Sequence, residues 1–183
     1  MKTLVLVFHP DMSASRVNRL LAARAETLGD DVTVRYMYDL YPDQKVDVAA
    51  EQAALEAADR VVLQFPMYWY STPALLKQWE DDVLLYGWAY GSTGNALAGK
   101  ELLVAVSTGG AGDAYSREAS YGYTITELLR PLQATANMVQ MAYLEPFTTT
   151  GTLTITDEAL AQRVEDYAAT LASKDLPVLE PHG

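Results

Sequence analysis

The chain has 183 residues, half of them hydrophobic and a fifth charged, with no cysteine and a formal net charge of −11. That is apolar material enough for one domain with a sizeable core. The negative charge argues against a nucleic-acid partner or an anionic lipid surface, and the lack of thiols excludes disulfides, thiolate metal sites and a cysteine nucleophile.

The apolar run at the N-terminus is too short for a signal peptide and is broken by His9-Pro10. No stretch of about 18 apolar residues is present, so the expected compartment is the cytoplasm. Residues 4–8 form a continuous apolar run, the pattern of a strand covered on both faces. A polar loop over residues 9–15 follows. Val17, Leu20, Leu21, Ala25 and Leu28 then recur at helical spacing, and Gly29-Asp30 ends that helix. Residues 32–38 alternate as a second strand. The Ala- and Glu-rich stretch 48–58 reads as a helix.

Residues 60–65 are a third apolar strand. The loop 66–73 is dense in aromatics. Helical spacing resumes over residues 75–86. The four glycines of residues 87–99 predict irregular structure. Residues 102–106 are a fourth strand, and a long loop over 107–123 opens on Gly109-Gly110. Residues 124–137 read as a helix that Pro131 can kink or divide. A fifth strand is expected from about residue 138 toward Phe147. A final helix is capped by Thr156 and buries Leu160, Val164, Tyr167 and Leu171. From Pro177 onward a loose tail is expected. Five strands alternating with helices predict an α/β doubly wound parallel sheet of order 2-1-3-4-5, in a single domain over residues 1–183.

In such sheets ligands bind beyond the carboxyl ends of the strands, where strand order reverses. Three loops meet that description. The first, residues 9–18, carries Ser13, Ser15, Arg16 and Arg19 at the start of a helix, and a helix N-terminus attracts phosphate. A serine N-cap is the simpler reading of that loop alone. There is no GxGxxG and no Walker lysine. His9, one of two histidines with His182, reads as a hydrogen-bonding loop residue; a zinc site or a Ser-His-Asp triad has no support. The second loop, Pro66-Met67-Tyr68-Trp69-Tyr70-Ser71-Thr72-Pro73, offers an aromatic wall for a flat ring, against the alternative that it pads the core or a subunit contact. The third, Ser107-Thr108-Gly109-Gly110, allows backbone to approach a ligand closely. A planar cofactor with a phosphate tail suits all three.

The motifs His9-Pro10, Phe65-Pro66-Met67-Tyr68-Trp69-Tyr70-Ser71-Thr72-Pro73-Ala74-Leu75-Leu76-Lys77, Gly87-Trp88-Ala89-Tyr90-Gly91 and Ser107-Thr108-Gly109-Gly110 resemble the flavodoxin-like NAD(P)H:quinone oxidoreductases. Within these, the likeness is to the ancillary oxidoreductases of bacterial glutathione-gated potassium-efflux systems and to related general stress proteins. It extends to Asp47-Val48-Ala49-Ala50-Glu51-Gln52, residues 131–136 and Glu145-Pro146-Phe147.

The resemblance implies FMN, with FAD in larger members, NADH or NADPH as co-substrate, a quinone-type acceptor and a homodimer. It also makes a potassium-efflux transporter a candidate partner, which would hold the chain at the inner membrane. A one-electron carrier of the flavodoxin type is a further alternative. By resemblance, His9, Ser15, Arg16, Val17 and Asn18 lie at the flavin's phosphate and ribityl end. Met67, Tyr68, Trp69 and Tyr70 flank the isoalloxazine, and Ser107, Thr108, Gly109 and Gly110 meet its pyrimidine edge. Mammalian-type members place a tyrosine and a histidine six residues apart over the flavin. Here Tyr115 matches the tyrosine, but Tyr121 stands in the histidine's place. A phenol can donate a hydrogen bond but does not readily become a cation, so Tyr115 and Tyr121 are the candidate catalytic pair.

Overall fold

The computed structural model describes residues 1–180; His182 lies outside them. The strands β1 (Thr3–Val7), β2 (Val32–Tyr36), β3 (Arg60–Pro66), β4 (Glu101–Ser107), β5 (Ala142–Tyr143) and β6 (Phe147–Thr149) form one sheet. Its order is β2-β1-β3-β4-β5, with β6 also paired to β4, and all pairings are parallel. The expected order 2-1-3-4-5 is therefore present, with one strand more than expected.

The extra strand is the fifth one divided in two. Both pieces pair with β4, at Glu101–Leu102 and at Ala105–Ser107. Between them stand Leu144, Glu145 and Pro146. Proline has no N–H for the ladder, and the Glu145 N–H turns instead to the Pro177 carbonyl at 2.9 Å. Leu144 and Val178 form an antiparallel bridge, and the Leu179 N–H donates to Tyr143 O at 2.8 Å. Residues 177–179 are thus pinned against the broken strand, which corrects the expectation of a loose tail from Pro177.

Strand residues alternate between two cores. Leu4, Leu6, Phe8, Val61, Leu63 and Phe65 face one side, beneath α3 (Val48–Ala57) and α4 (Ala74–Val83). Val5, Val7, Val62, Leu103 and Ala105 face the other, beneath α1 (Val17–Glu26) and α7 (Asp157–Ala172). Burial on both faces is why these strands read as unbroken apolar runs. Thr156 caps α7, its hydroxyl accepting from the Ala159 N–H, as expected.

Several boundaries differ from expectation. The second strand stops at Tyr36 because Met37–Leu40 turns into a short helix, α2, that buries Met37. Helix α4 ends at Val83, before the glycine-rich loop. The expected helix over 124–137 is two helices, α5 (Ile125–Leu128) and α6 (Arg130–Met138), broken at Leu129 with Pro131 near the start of the second. Proline tolerates that position because its missing N–H is unpaired there anyway.

Glu51 ties this scaffold together from a fully buried position on α3. Its carboxylate pairs with the Arg35 guanidinium of β2 and accepts from Tyr41 Oη at 2.6 Å and Trp79 Nε1 at 3.0 Å. Trp79 packs edge-on against Phe8 at 5.9 Å, so the carboxylate links α3 and α4 to the end of β1. Glu51→Ala would leave a mostly buried guanidinium and an indole N–H without their partner. It is expected to lower the unfolding free energy by about 3 kcal/mol, measured by urea denaturation of the two chains.

Candidate functional site

The parallel register sets the carboxyl ends of β1, β3 and β4 side by side. Pro66 stands opposite Ser107. The Met67 N–H carries the ladder one step further, reaching Ser107 O at 2.8 Å. The Phe8 N–H does the same to Gln64 O at 2.8 Å. All three loops read from the sequence therefore open on one rim.

The first loop is folded by Asp11. Its Oδ1 accepts from the Ser13 hydroxyl at 2.6 Å and from the N–H groups of Ser13 and Ala14. Ser13 is thereby spent on the loop, and no side chain caps α1, which overturns the N-cap reading of Ser13 or Ser15. Among the described residues, the N–H groups of Arg16, Val17 and Asn18 donate to nothing. That leaves an open helix N-terminus with its partial positive charge. The Arg16 guanidinium faces away, bonded to Ile155 O at 2.7 Å and paired with Asp157. Ser15 and Asn18 are buried. His9 Nδ1 accepts from the Asp11 N–H at 3.1 Å. Burial lowers its pKa, against the opposing pull of Asp11. The ring is neutral at pH 7, with its proton on Nε2 as a donor.

The second loop makes a two-residue reversal. Tyr68 and Ser71 exchange both backbone hydrogen bonds at 3.0 Å, with Trp69 at φ 48° and Tyr70 at φ 62°. Left-handed backbone at both central positions is the geometry that Asn-Gly ordinarily supplies; an aromatic pair there stores strain. Trp69 is 93% exposed, Tyr68 and Tyr70 nearly half. These rings do not pad the core. The N–H groups of Trp69 and Tyr70 have no acceptor among the described residues.

The third loop carries Gly109 and Gly110. A Cβ on Gly110 would fall 2.7 Å from the Tyr121 hydroxyl, so glycine there makes room for that ring. Tyr121 lies 4.8 Å from Tyr115 and 5.9 Å from Tyr70, centroid to centroid. The structure thus brings the candidate pair together and sets it against the second loop. Ser107 and Thr108 are buried. The Thr108 hydroxyl is held by Gly110 O at 3.0 Å, so beyond Ser107 what this loop offers outward is backbone.

The sequence reading missed a fourth loop, residues 149–154. The Thr108 N–H donates to Thr149 O at 2.9 Å, the Thr152 N–H to Thr108 O at 3.0 Å and the Gly151 N–H to Gly110 O at 2.8 Å. Leu153 overhangs Gly109. The signal available was the run Thr148-Thr149-Thr150-Gly151-Thr152 directly after a strand. Thr149 is buried, and its hydroxyl has no partner among the described residues.

A family described as having the flavodoxin-like fold matches residues 1–171. The chain belongs to this flavodoxin-like family. An uncharacterised NAD(P)H oxidoreductase of Bacillus subtilis, YrkL, is 49% identical over 170 residues, covering 91% of this chain and 97% of the relative. The glutathione-regulated potassium-efflux system ancillary protein KefF of Klebsiella pneumoniae is 45% identical over 168 residues, 92% and 93% of the two chains. Among solved structures, general stress protein 14 of Treponema denticola in complex with FMN is 40% identical. It superposes with a TM-score of 0.88 over 93% of this chain and 98% of its own. An NADPH-quinone reductase of P. pentosaceus is 36% identical, with a TM-score of 0.86 over 96% and 99%.

A second hollow lies apart from the first and third loops. A groove of about 590 Å³ runs between α4 and α6, lined by Lys77, Glu80, Leu84, Tyr90, Thr135 and Met138, and it meets the aromatic loop at Ser71 and Thr72. Burial raises the Glu80 pKa to about 7, with Asp81 adding to the rise and Lys77 and the Thr135 hydroxyl opposing it. Of the four aromatics Trp79, Tyr86, Trp88 and Tyr90 in and after α4, Trp79 is core, Trp88 donates to Glu56 and packs on the core with Tyr90, and only Tyr86 is largely exposed.

Two predictions follow from these geometries. A Trp69→Asn, Tyr70→Gly variant relieves the left-handed strain and is expected to raise the ligand-free unfolding free energy by about 1 kcal/mol, measured by urea denaturation. Glu80 gains its proton more readily folded than unfolded. Its burden on the fold is absent below about pH 4.5, grows as pH rises, and is complete above about pH 7. Glu80→Gln is therefore expected to match the parent at pH 4.5 and exceed it by about 2 kcal/mol at pH 8, after discounting for partial exposure.

Proposed function

We propose that this chain is an FMN-dependent NAD(P)H oxidoreductase that passes electrons in pairs to a quinone-type acceptor. The observation that carries the reading is the meeting, on one rim, of an uncapped helix N-terminus and a strained aromatic turn with free N–H groups. Relatives whose names record an FMN complex and an NADPH-quinone reductase over nearly the whole chain support it.

Bound FMN would supply the hydride chemistry between NAD(P)H and the acceptor. The open turn of α1, through the N–H groups of Arg16, Val17 and Asn18, holds the phosphate. Neutral His9 adds an Nε2–H donor without adding charge. Met67 and Tyr68 line the ring, the N–H groups of Trp69 and Tyr70 serve its polar edge, and Gly109 and Gly110 let backbone reach the pyrimidine side. Such fixed donors stabilise negative charge gained on reduction. Tyr115 and Tyr121 cover the stacking face and donate a hydrogen bond to the acceptor's oxygen as hydride arrives, with the proton supplied through a phenol or from water. A homodimer is part of this reading: the α4–α6 groove, with Tyr86 and Met138 exposed in the same region, offers a surface that a second copy can cover.

A second reading is favoured by the 45% identity to KefF, namely an accessory role on a potassium-efflux transporter. It is compatible with enzyme activity. No helix among the described residues is long and apolar enough to cross a membrane, so that role requires recruitment by the transporter.

The direct test is the visible spectrum of the purified chain with FMN, followed by NAD(P)H oxidation with benzoquinone. Parallel double-reciprocal lines are expected; intersecting lines would remove the shared site, and an absence of NAD(P)H oxidation would leave an electron carrier. The Tyr115→Phe, Tyr121→Phe double variant is expected to keep FMN and lose about 100-fold in kcat/KM for the acceptor. An unchanged rate would assign proton donation to water.

A further inference from the structure

Four buried polar side chains from four different elements meet beneath the rim. Tyr167 on α7 is fully buried, and its hydroxyl lies 3.0 Å from Gln64 Oε1 on β3. Gln64 Nε2 reaches the backbone oxygen of Asn18 at 2.9 Å and its Oδ1 at 3.5 Å. Asn18 Nδ2 reaches Ser107 Oγ at 2.9 Å. Gln64, Asn18 and Ser107 are 0%, 2% and 5% exposed, too deep for water to exchange with these partners freely.

The direction of the chain is forced from one end to the other. A backbone carbonyl can only accept, so the amide nitrogen of Gln64 must face Asn18. Its oxygen therefore faces Tyr167, whose hydroxyl must donate; burial pushes the phenol's pKa well up, so it holds its proton at any working pH. The Gln64 nitrogen likewise turns Asn18 Oδ1 toward itself, which leaves Asn18 Nδ2 for Ser107. Ser107 Oγ is thus an acceptor from below, and its own proton has no acceptor among the described residues. Ser107 is the last residue of β4. It pairs in register with Thr149, whose buried hydroxyl is also without a partner. Two neighbouring hydroxyls at the rim therefore retain unused hydrogen-bonding capacity.

We infer that Tyr167 and Gln64 are positioning residues which, through Asn18, hold the Ser107 hydroxyl as a hydrogen-bond donor to the flavin. Asn18 then acts through its side chain on Ser107 as well as through its N–H on the phosphate. The inference rests on the FMN reading above. Without the Tyr167 hydroxyl the buried Gln64 oxygen has no donor, so the Gln64 side chain can shift off Asn18; the Asn18 amide is then free to turn, and the Ser107 proton can turn inward.

The test is a double-mutant cycle on FMN affinity, read by quenching of flavin fluorescence as the purified chain is titrated. Tyr167→Phe and Ser107→Ala are each expected to weaken FMN binding about 5- to 10-fold. The double variant is expected to be no weaker than Ser107→Ala alone, because Tyr167 acts only through Ser107; residues this far apart ordinarily add. Gln64→Met replaces Tyr167→Phe in the cycle should the latter fail to fold. Additive losses, or an unchanged affinity in Tyr167→Phe, would overturn the relay while leaving FMN binding intact. A parent chain that quenches no flavin would overturn the cofactor reading, and the relay with it.

Discussion

The hydrogen bond from the Met67 N–H to the Ser107 carbonyl, 2.8 Å long, fixes where the rest of the site can stand. It continues the β3–β4 ladder past Pro66, a residue that cannot take part in it as a donor. The aromatic loop and the glycine loop consequently leave the sheet at the same height and side by side. Everything proposed for the rim depends on that alignment. A one-residue slip of β4 against β3 would turn every side chain of β4 to the opposite face and exchange Ser107 for a neighbour facing the other core. The register is well defended, since β3 and β4 bury side chains on both faces along their length.

Polar groups are distributed unevenly around this fixed point. Away from the rim, buried charges have ionic partners, Glu51 in Arg35 and Arg60 in Glu101, although Arg35 Nε, Arg60 Nη2 and Tyr143 Oη are left without hydrogen bonds. The rim differs in kind. The first turn of α1 lacks a side-chain cap, two N–H groups sit on a strained turn, and Ser107 and Thr149 hold unused hydroxyl capacity. Unsatisfied donors and left-handed non-glycine backbone both carry a free-energy penalty. Their meeting on one edge, backbone donors beside left-handed aromatic backbone, is what a ligand would relieve.

The fold was largely legible because a doubly wound sheet buries its strands on both faces, and continuous apolar runs such as residues 4–8 and 102–106 report that directly. What was not legible depended on tertiary partners. Pro146 breaks the fifth strand, but only the docking of residues 177–179 shows where its freed groups go. Met37 and Tyr38 read as the end of the second strand, yet burial of Met37 goes with a helical turn over Met37–Leu40. At the site, composition pointed to three loops that meet on one rim, but the aromatic run gave no sign that its backbone is left-handed. Composition could not tell that Arg16 turns to Asp157, that Ser13 is used by Asp11, or that Trp79 is core while Tyr86 is surface. Gln64 and Tyr167 carried no local signal, because each looks like an ordinary residue until the sheet brings them within reach of Asn18.

The same facts bear on how an acidic chain can hold an anionic cofactor. With a net charge of −11, the surrounding field opposes a phosphate. Of the arginines nearest the first loop, Arg16 is neutralised by Asp157, while Arg19, bonded to the uncharged Ser15 O, keeps its charge but commits that N–H to the helix itself. His9 is held neutral by burial. The cradle is therefore built from dipoles, the N–H groups of the α1 turn and one imidazole N–H. These act over short distances and are spent only on an atom placed against them. A cradle of this kind draws little from long-range attraction, so its selectivity lies in shape: a phosphate must arrive attached to something flat enough to reach the aromatic turn and Ser107 at once. That geometric demand is what joins the open helix end, the strained turn and the buried relay into a single site.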